Sequence, residues 1–200
     1  MRTSGDIKYR IICIGASAGG LKAVSKILSY LPEDFAIPIV IVQHLHEDQN
    51  IAFAELVNSQ TALTVKIADE KEKMLPGHAY YAPPDYHLMV EEEGFFSLST
   101  DEKVNFSRPS IDVLFESVAD DFAPAIIGVI LTGANNDGAM GMKLIKKSGG
   151  LTIVQDPKTA ESSTMPSEAM KTTEIDYVLP LDKIGKILKE LGKKGRDDLR

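Results

Sequence analysis

A serine lies in the run Gly15-Ala16-Ser17-Ala18-Gly19-Gly20, directly after the apolar stretch Ile11-Ile12-Cys13-Ile14. This pattern predicts a strand that turns sharply into a helix, with Ser17 at the turn. A hydroxyl there meets the amino end of a helix, whose free N–H groups and dipole favour negative charge. Two chemistries suit such a place: a nucleophile attacking an acyl carbon, or a cradle for a phosphate.

His44 and Asp137 bear on that choice. His44 closes a second apolar run, and Asp137 lies in Thr132-Gly133-Ala134-Asn135-Asn136-Asp137-Gly138, after the apolar run at 125–131. A nucleophile, a base and an acid must converge in space, not in sequence. The carboxyl ends of parallel strands provide that convergence. A dinucleotide site would instead place an acidic residue at the end of the second strand, where this chain has Gln43-His44. Ser17 also replaces the middle glycine of Gly-x-Gly-x-x-Gly. The order Ser…His…Asp differs from the Ser…Asp…His order of α/β-hydrolases. Each residue also has a plainer role open to it. His44 could be a structural strand-end histidine and Asp137 the N-cap of the helix that follows. His46 completes a His-x-His pair, but no second ligand group accompanies it, so neither a metal nor a cofactor is expected.

These residues need a scaffold of alternating strands and helices. Strands are expected at 8–14, 37–43, 63–67, 79–82, 125–131, 151–155 and 177–179. Helical faces follow at 21–31, 49–59, 110–118, 140–145, 167–172 and 184–191. Between Pro76-Gly77 and Leu98 the alternation breaks. Two turns and the charged Glu91-Glu92-Glu93-Gly94 predict a β-hairpin excursion near residues 78–99, antiparallel in character. The expected class is α/β: three layers, a doubly wound and mainly parallel sheet, helices on both faces. Residues 1–192 read as one catalytic domain and 193–200 as a disordered tail.

Composition sets the limits. Two hundred residues, 44% apolar and 26% charged, suit one globular domain. A net charge of −7 argues against a nucleic-acid surface. The basic concentration is confined to 182–200, with seven Lys/Arg against four Asp/Glu, and reads as a solvated terminus. No apolar run approaches the roughly 20 residues of a membrane span. The single cysteine, Cys13, falls within a strand pattern and reads as a core thiol, which with no signal peptide fits a cytoplasmic location.

Ile14-Gly15-Ala16-Ser17-Ala18-Gly19-Gly20, Val42-Gln43-His44, Leu131–Ala139 (Leu-Thr-Gly-Ala-Asn-Asn-Asp-Gly-Ala) and Gln155-Asp156-Pro157 together resemble the catalytic domain of the chemotaxis protein-glutamate methylesterases, the CheB type. Pro76-Gly77, Tyr81-Ala82-Pro83, His87-Leu88, Arg108-Pro109-Ser110-Ile111-Asp112 and Met165-Pro166 fit the same family, over about residues 8–190. The resemblance implies a Ser17–His44–Asp137 triad and a serine hydrolase that demethylates glutamyl methyl esters on chemoreceptor helices. Deamidation of glutamines at the same site is a further implied activity. It suggests oxyanion donors at the backbone N–H groups of Ala18 and Ala134, where many relatives carry threonine and methionine. Relatives usually carry an N-terminal receiver domain, absent from this chain, so a separate receiver or a cognate methyltransferase is a candidate partner. A small-ester hydrolase, a phosphate-binding Rossmann-like module and a catalytically silent binding domain are the alternatives. Arg108 reads either as a contact to an acidic receptor helix or as a salt-bridged scaffold residue, and stays outside the catalytic set.

Overall fold

A computed structural model describes residues 9–44 and 52–194. Nine strands and six helices follow one another within them. The amino-terminal part holds β1 (Ile11–Ala16), α1 (Gly20–Leu28), β2 (Ile39–Gln43), α2 (Ala52–Asn58), β3 (Thr64–Ile67) and β4 (His78–Tyr81). A hairpin follows, β5 (His87–Val90) and β6 (Phe96–Ser99). The chain continues through α3 (Ile111–Ala119), β7 (Ile126–Ile130), α4 (Ala139–Lys147) and β8 (Leu151–Gln155). It then forms α5 (Thr164–Thr172), β9 (Tyr177–Leu179) and α6 (Leu181–Lys194).

Seven strands form one sheet in the order β3-β4-β2-β1-β7-β8-β9, and every pairing in it is parallel. The expected doubly wound sheet is therefore present. The antiparallel excursion is narrower than the residues 78–99 expected, because β4 belongs to the main sheet between β2 and β3. Strands β5 and β6 form the separate antiparallel pair. Ala79, Tyr80 and Tyr81 are buried on both faces, which an interior parallel strand requires and an edge hairpin does not.

Strand alternation divides the interior into two cores. Ile12, Ile14, Ile39, Ile41, Ile127 and Val129 face one side, against Val24 and Ile27 of α1, Val57 of α2, and Ile184 and Leu188 of α6. Ile11, Cys13, Val40, Val42, Ile126 and Ile130 face the other, against Leu114 and Phe115 of α3, Met142 of α4 and Ala169 of α5. Cys13 is a core thiol, as expected, and burial pushes its ionisation far upward. The hairpin seats on α3: Ser117 Oγ accepts from the Val90 N–H at 3.1 Å, and His87 Nδ1 accepts from the Ser110 N–H at 3.2 Å. Helix α6 continues through Lys194, past the point where a tail was expected; residues 195–200 lie outside the described residues. Among the described residues no helix is long and apolar enough to cross a membrane.

Candidate active site

Strand order reverses at β1, whose neighbours are β2 on one side and β7 on the other. The carboxyl ends of these three strands carry Ser17, His44 and the Asn135–Asp137 segment. A doubly wound sheet opens its functional crevice at such a reversal.

Ser17 is fixed by its own backbone. Its N–H donates to the Thr132 carbonyl at 2.9 Å, and its carbonyl accepts from Gly20 N–H and from Gln43 Nε2, each at 2.8 Å. Gly19 caps α1 at φ 76°, a left-handed conformation that lets the chain reverse into the helix within two residues. Thr132 Oγ1 donates to the Ala18 carbonyl at 2.8 Å and accepts from the Ser162 N–H at 2.9 Å. Gln155 Oε1 in turn accepts from the Thr132 N–H at 2.9 Å. The elbow is thus tied to β2, β7 and the segment leading into α5. Gly133 passes so close that an added Cβ would lie 2.6 Å from Met165 Cε and 3.0 Å from Ser17 Cβ.

The plainer role open to Asp137, capping the helix that follows it, is not the one it takes. That helix, α4, starts on Gly138 at φ 90° with no side-chain cap. Asp137 instead reaches the amino end of α3. Its Oδ2 accepts from the Ile111 N–H at 2.7 Å, while its Oδ1 accepts from the Asp112 N–H at 3.2 Å and Ser110 Oγ at 2.8 Å. Asn105 Nδ2 also donates to Oδ1, at 3.0 Å, and His44 Nε2 donates to Oδ2 at 2.9 Å. The carboxylate is completely buried. Burial alone would raise its pKa, but the hydrogen bonds from His44, Asn105 and Ile111, with the His44 charge, hold it below the usual carboxylate range. Asp112 goes the other way: burial raises it, and the nearby Asp137 charge adds to that.

This network fixes the imidazole. An ionised carboxylate with five donors on it requires the His44 proton on Nε2, leaving Nδ1 as the basic nitrogen. Asn135 Nδ2 lies 3.2 Å from that Nδ1. The Asn135 amide can face only this way, since its Oδ1 accepts from the Asp137 N–H at 3.2 Å. No hydrogen bond joins Ser17 Oγ to His44 among the described residues. The N–H groups of Ala18 and Ala134 carry no hydrogen bond among the described residues, and both residues are exposed. Ser17's own N–H is committed to Thr132 and is not a free donor.

The structure therefore brings Ser17, His44, Asp137, Ala18 and Ala134 to one sheet edge. Arg108 stays apart: its Nη1 donates to the carbonyls of Thr100 at 2.8 Å and Asp101 at 2.9 Å, a scaffold role. His46 lies outside the described residues. The sequence reading missed Asn135 as a partner of His44 and Asn105 as a partner of Asp137. The sequence offers residue types alone here, an Asn-Asn pair before the aspartate and an asparagine shortly before the Ser110 cap, and neither fixes where an amide points.

Fold and site define a doubly wound α/β protein with a serine, a His–Asp pair whose carboxylate is buried, and free backbone donors at the strand-order reversal. Residues 12–188 match the CheB methylesterase family, and the chain belongs to it. It is 50% identical over 181 residues to a Leptospira interrogans protein provisionally named protein-glutamate methylesterase/protein-glutamine glutaminase, covering 90% of this chain and 94% of that one. A similarly named Geobacter metallireducens protein is 39% identical over 178 residues, 88% of this chain and 51% of that one. The crystal structure of the Thermotoga maritima CheB methylesterase catalytic domain superposes with a TM-score of 0.88 at 36% identity, covering 92% of this chain and all of that one.

Proposed function

We propose that the chain hydrolyses glutamyl methyl esters on the cytoplasmic helices of chemoreceptors, with Ser17 as nucleophile, His44 as base and Asp137 as the acid that orients it. The observation that carries this reading is the His44 Nε2–Asp137 Oδ2 bond of 2.9 Å, its carboxylate buried and its imidazole partly exposed, beside the Ser17 elbow. Such a pair leaves one imidazole nitrogen to take a proton while the carboxylate stabilises the imidazolium that forms.

The reaction begins when the Ser17 hydroxyl replaces the Asn135 amide at His44 Nδ1. Catalytic hydrogen bonds of this kind commonly tighten only when substrate is bound. Ser17 Oγ attacks the ester carbonyl carbon as Nδ1 takes its proton. The carbonyl oxygen becomes an oxyanion held by the Ala18 and Ala134 N–H groups; one such donor typically lowers the barrier by about 3 kcal/mol. The tetrahedral intermediate collapses, His44 returns the proton to the leaving oxygen, and methanol departs. Water, deprotonated by His44, then attacks the acyl-serine and releases glutamate. With glutamine the leaving group is ammonia and every other step is the same, which supports a glutaminase activity as well.

The working unit in this reading is the domain that ends with α6, acting in the cytoplasm on a receptor helix. A cognate methyltransferase would supply the ester it removes. Replacing Ser17 with Ala abolishes both methanol release from a methylated receptor fragment and labelling by a fluorophosphonate, with the thermal midpoint retained. Methanol release that survives the substitution would sink the triad.

A further inference from the structure

Val104 and Ser107 face each other across a two-residue turn, with backbone hydrogen bonds of 3.2 and 2.9 Å between them. Both central residues have positive φ, 51° at Asn105 and 62° at Phe106. Turns of this shape take Asn readily at the first position and Gly at the second. A phenylalanine in the second place is strained, because its Cβ crowds the adjacent carbonyl. Packing does nothing to offset that strain, since Phe106 is 99% exposed.

The turn is anchored to the reaction centre. Asn105 Nδ2 donates to Asp137 Oδ1 at 3.0 Å and to Asp112 Oδ2 at 2.8 Å. The other Asp112 oxygen accepts from the Gly141 N–H at 2.7 Å. Gly141 follows Met140, whose side chain is 52% exposed although Met142 is fully buried. Two exposed apolar side chains, Phe106 and Met140, therefore stand next in sequence to the groups that grip one carboxylate, beside Asp137. An aromatic presented at cost to the backbone, within one residue of the catalytic network, has its use outside the fold.

We propose that Phe106 is the docking contact for the polypeptide that carries the reacting glutamyl side chain. The proposal rests on the functional reading above. It assigns a determinant of polypeptide substrate recognition that small esters do not touch. The Phe106 ring would lie against an apolar ridge of the substrate helix while the ester enters beside Ser17. The turn's grip on Asp137 sets the distance between the two.

The test compares two rates in the parent protein, Phe106→Asn and Phe106→Tyr. One is kcat/KM for methanol release from a methylated chemoreceptor cytoplasmic fragment; the other is the rate constant of fluorophosphonate labelling at Ser17. Asparagine tolerates positive φ and so keeps the turn. The ratio of the first rate to the second should fall about tenfold in Phe106→Asn, as for an aromatic anchor removed from an interface. Phe106→Tyr should restore it. An unchanged ratio overturns the docking role, whether both rates hold or both fall together. A parent protein that labels at Ser17 but releases no methanol from the fragment overturns the substrate assignment, and the docking proposal with it.

Discussion

In the proposed mechanism Asp137 serves catalysis as well as folding with one carboxylate. It holds the His44 ring, and it also takes the first two N–H groups of α3, where the helix dipole favours negative charge. Its depressed pKa makes this a stability statement. An unfolded aspartate titrates near pH 4. The stabilisation from Asp137 is therefore complete above about pH 4 and is lost as pH falls through the lower native value. Asp112, raised by burial, has the opposite sign: its contribution is present below about pH 4 and lost as pH rises through its higher native value. Replacing Asp137 with Asn should cost roughly 2–3 kcal/mol at pH 7, because donors lose their charged acceptor. It should also remove part of the decline in stability as pH falls below about 4. Urea unfolding at a series of pH values reads both effects, and identical slopes in the two proteins would refute the assignment. At this scale the sequence was legible where a strand end carries a chemical group, as at Ser17, His44 and Asp137. Asn105 and Asn135 were not, because their roles depend on amide orientations that only the folded loops define.

At the level of elements, the contact between α3 and α4 supports the site. Gly141 of α4 lies against Phe115 of α3 so closely that an added Cβ would come within 2.4 Å of Phe115 Cβ. That neighbour is the root of its side chain and cannot swing aside, so the two helices would have to part. The Gly141→Ala protein should lose about 1–3 kcal/mol, the usual cost of overpacking. It should also label more slowly at Ser17, because the Asp112 and Asp137 anchors move with α3. Thermal unfolding and labelling rates read the two losses; a lower midpoint with unaltered labelling would show that the site does not depend on this packing. Elements with continuous or alternating apolar runs were readable, and 151–155 and 177–179 match the observed strands. Strand β4 was grouped with the excursion because prolines flank it closely on both sides. Its true signal was the unbroken burial-prone run Ala79-Tyr80-Tyr81. Helix α5 begins at Thr164 rather than 167, since Pro166 falls in the first turn, where no intrahelical donor is needed.

Across the whole molecule, β1 lies at the middle of the sheet and between the two cores, and Cys13 on it has no exposure. Its thiol can meet solvent only when the sheet opens, so its modification should follow global unfolding. In urea, thiol modification by an aromatic disulfide reagent should track the unfolding transition seen by circular dichroism. Rapid reaction under native conditions would mean that the sheet opens locally around β1. The order of the sheet has one further consequence. Chain before the exposed stretch at 101–104 supplies β1 to β4 with Ser17 and His44, whereas chain after it supplies β7 to β9 with Asp137. The border between these halves is the β1–β7 seam, where the proposed reaction centre lies. The molecule is thus built as two complementary pieces, neither holding a complete reaction centre. Separately produced fragments divided at this stretch would be silent alone and recover hydrolysis only on reuniting, with catalysis itself reporting the reunion.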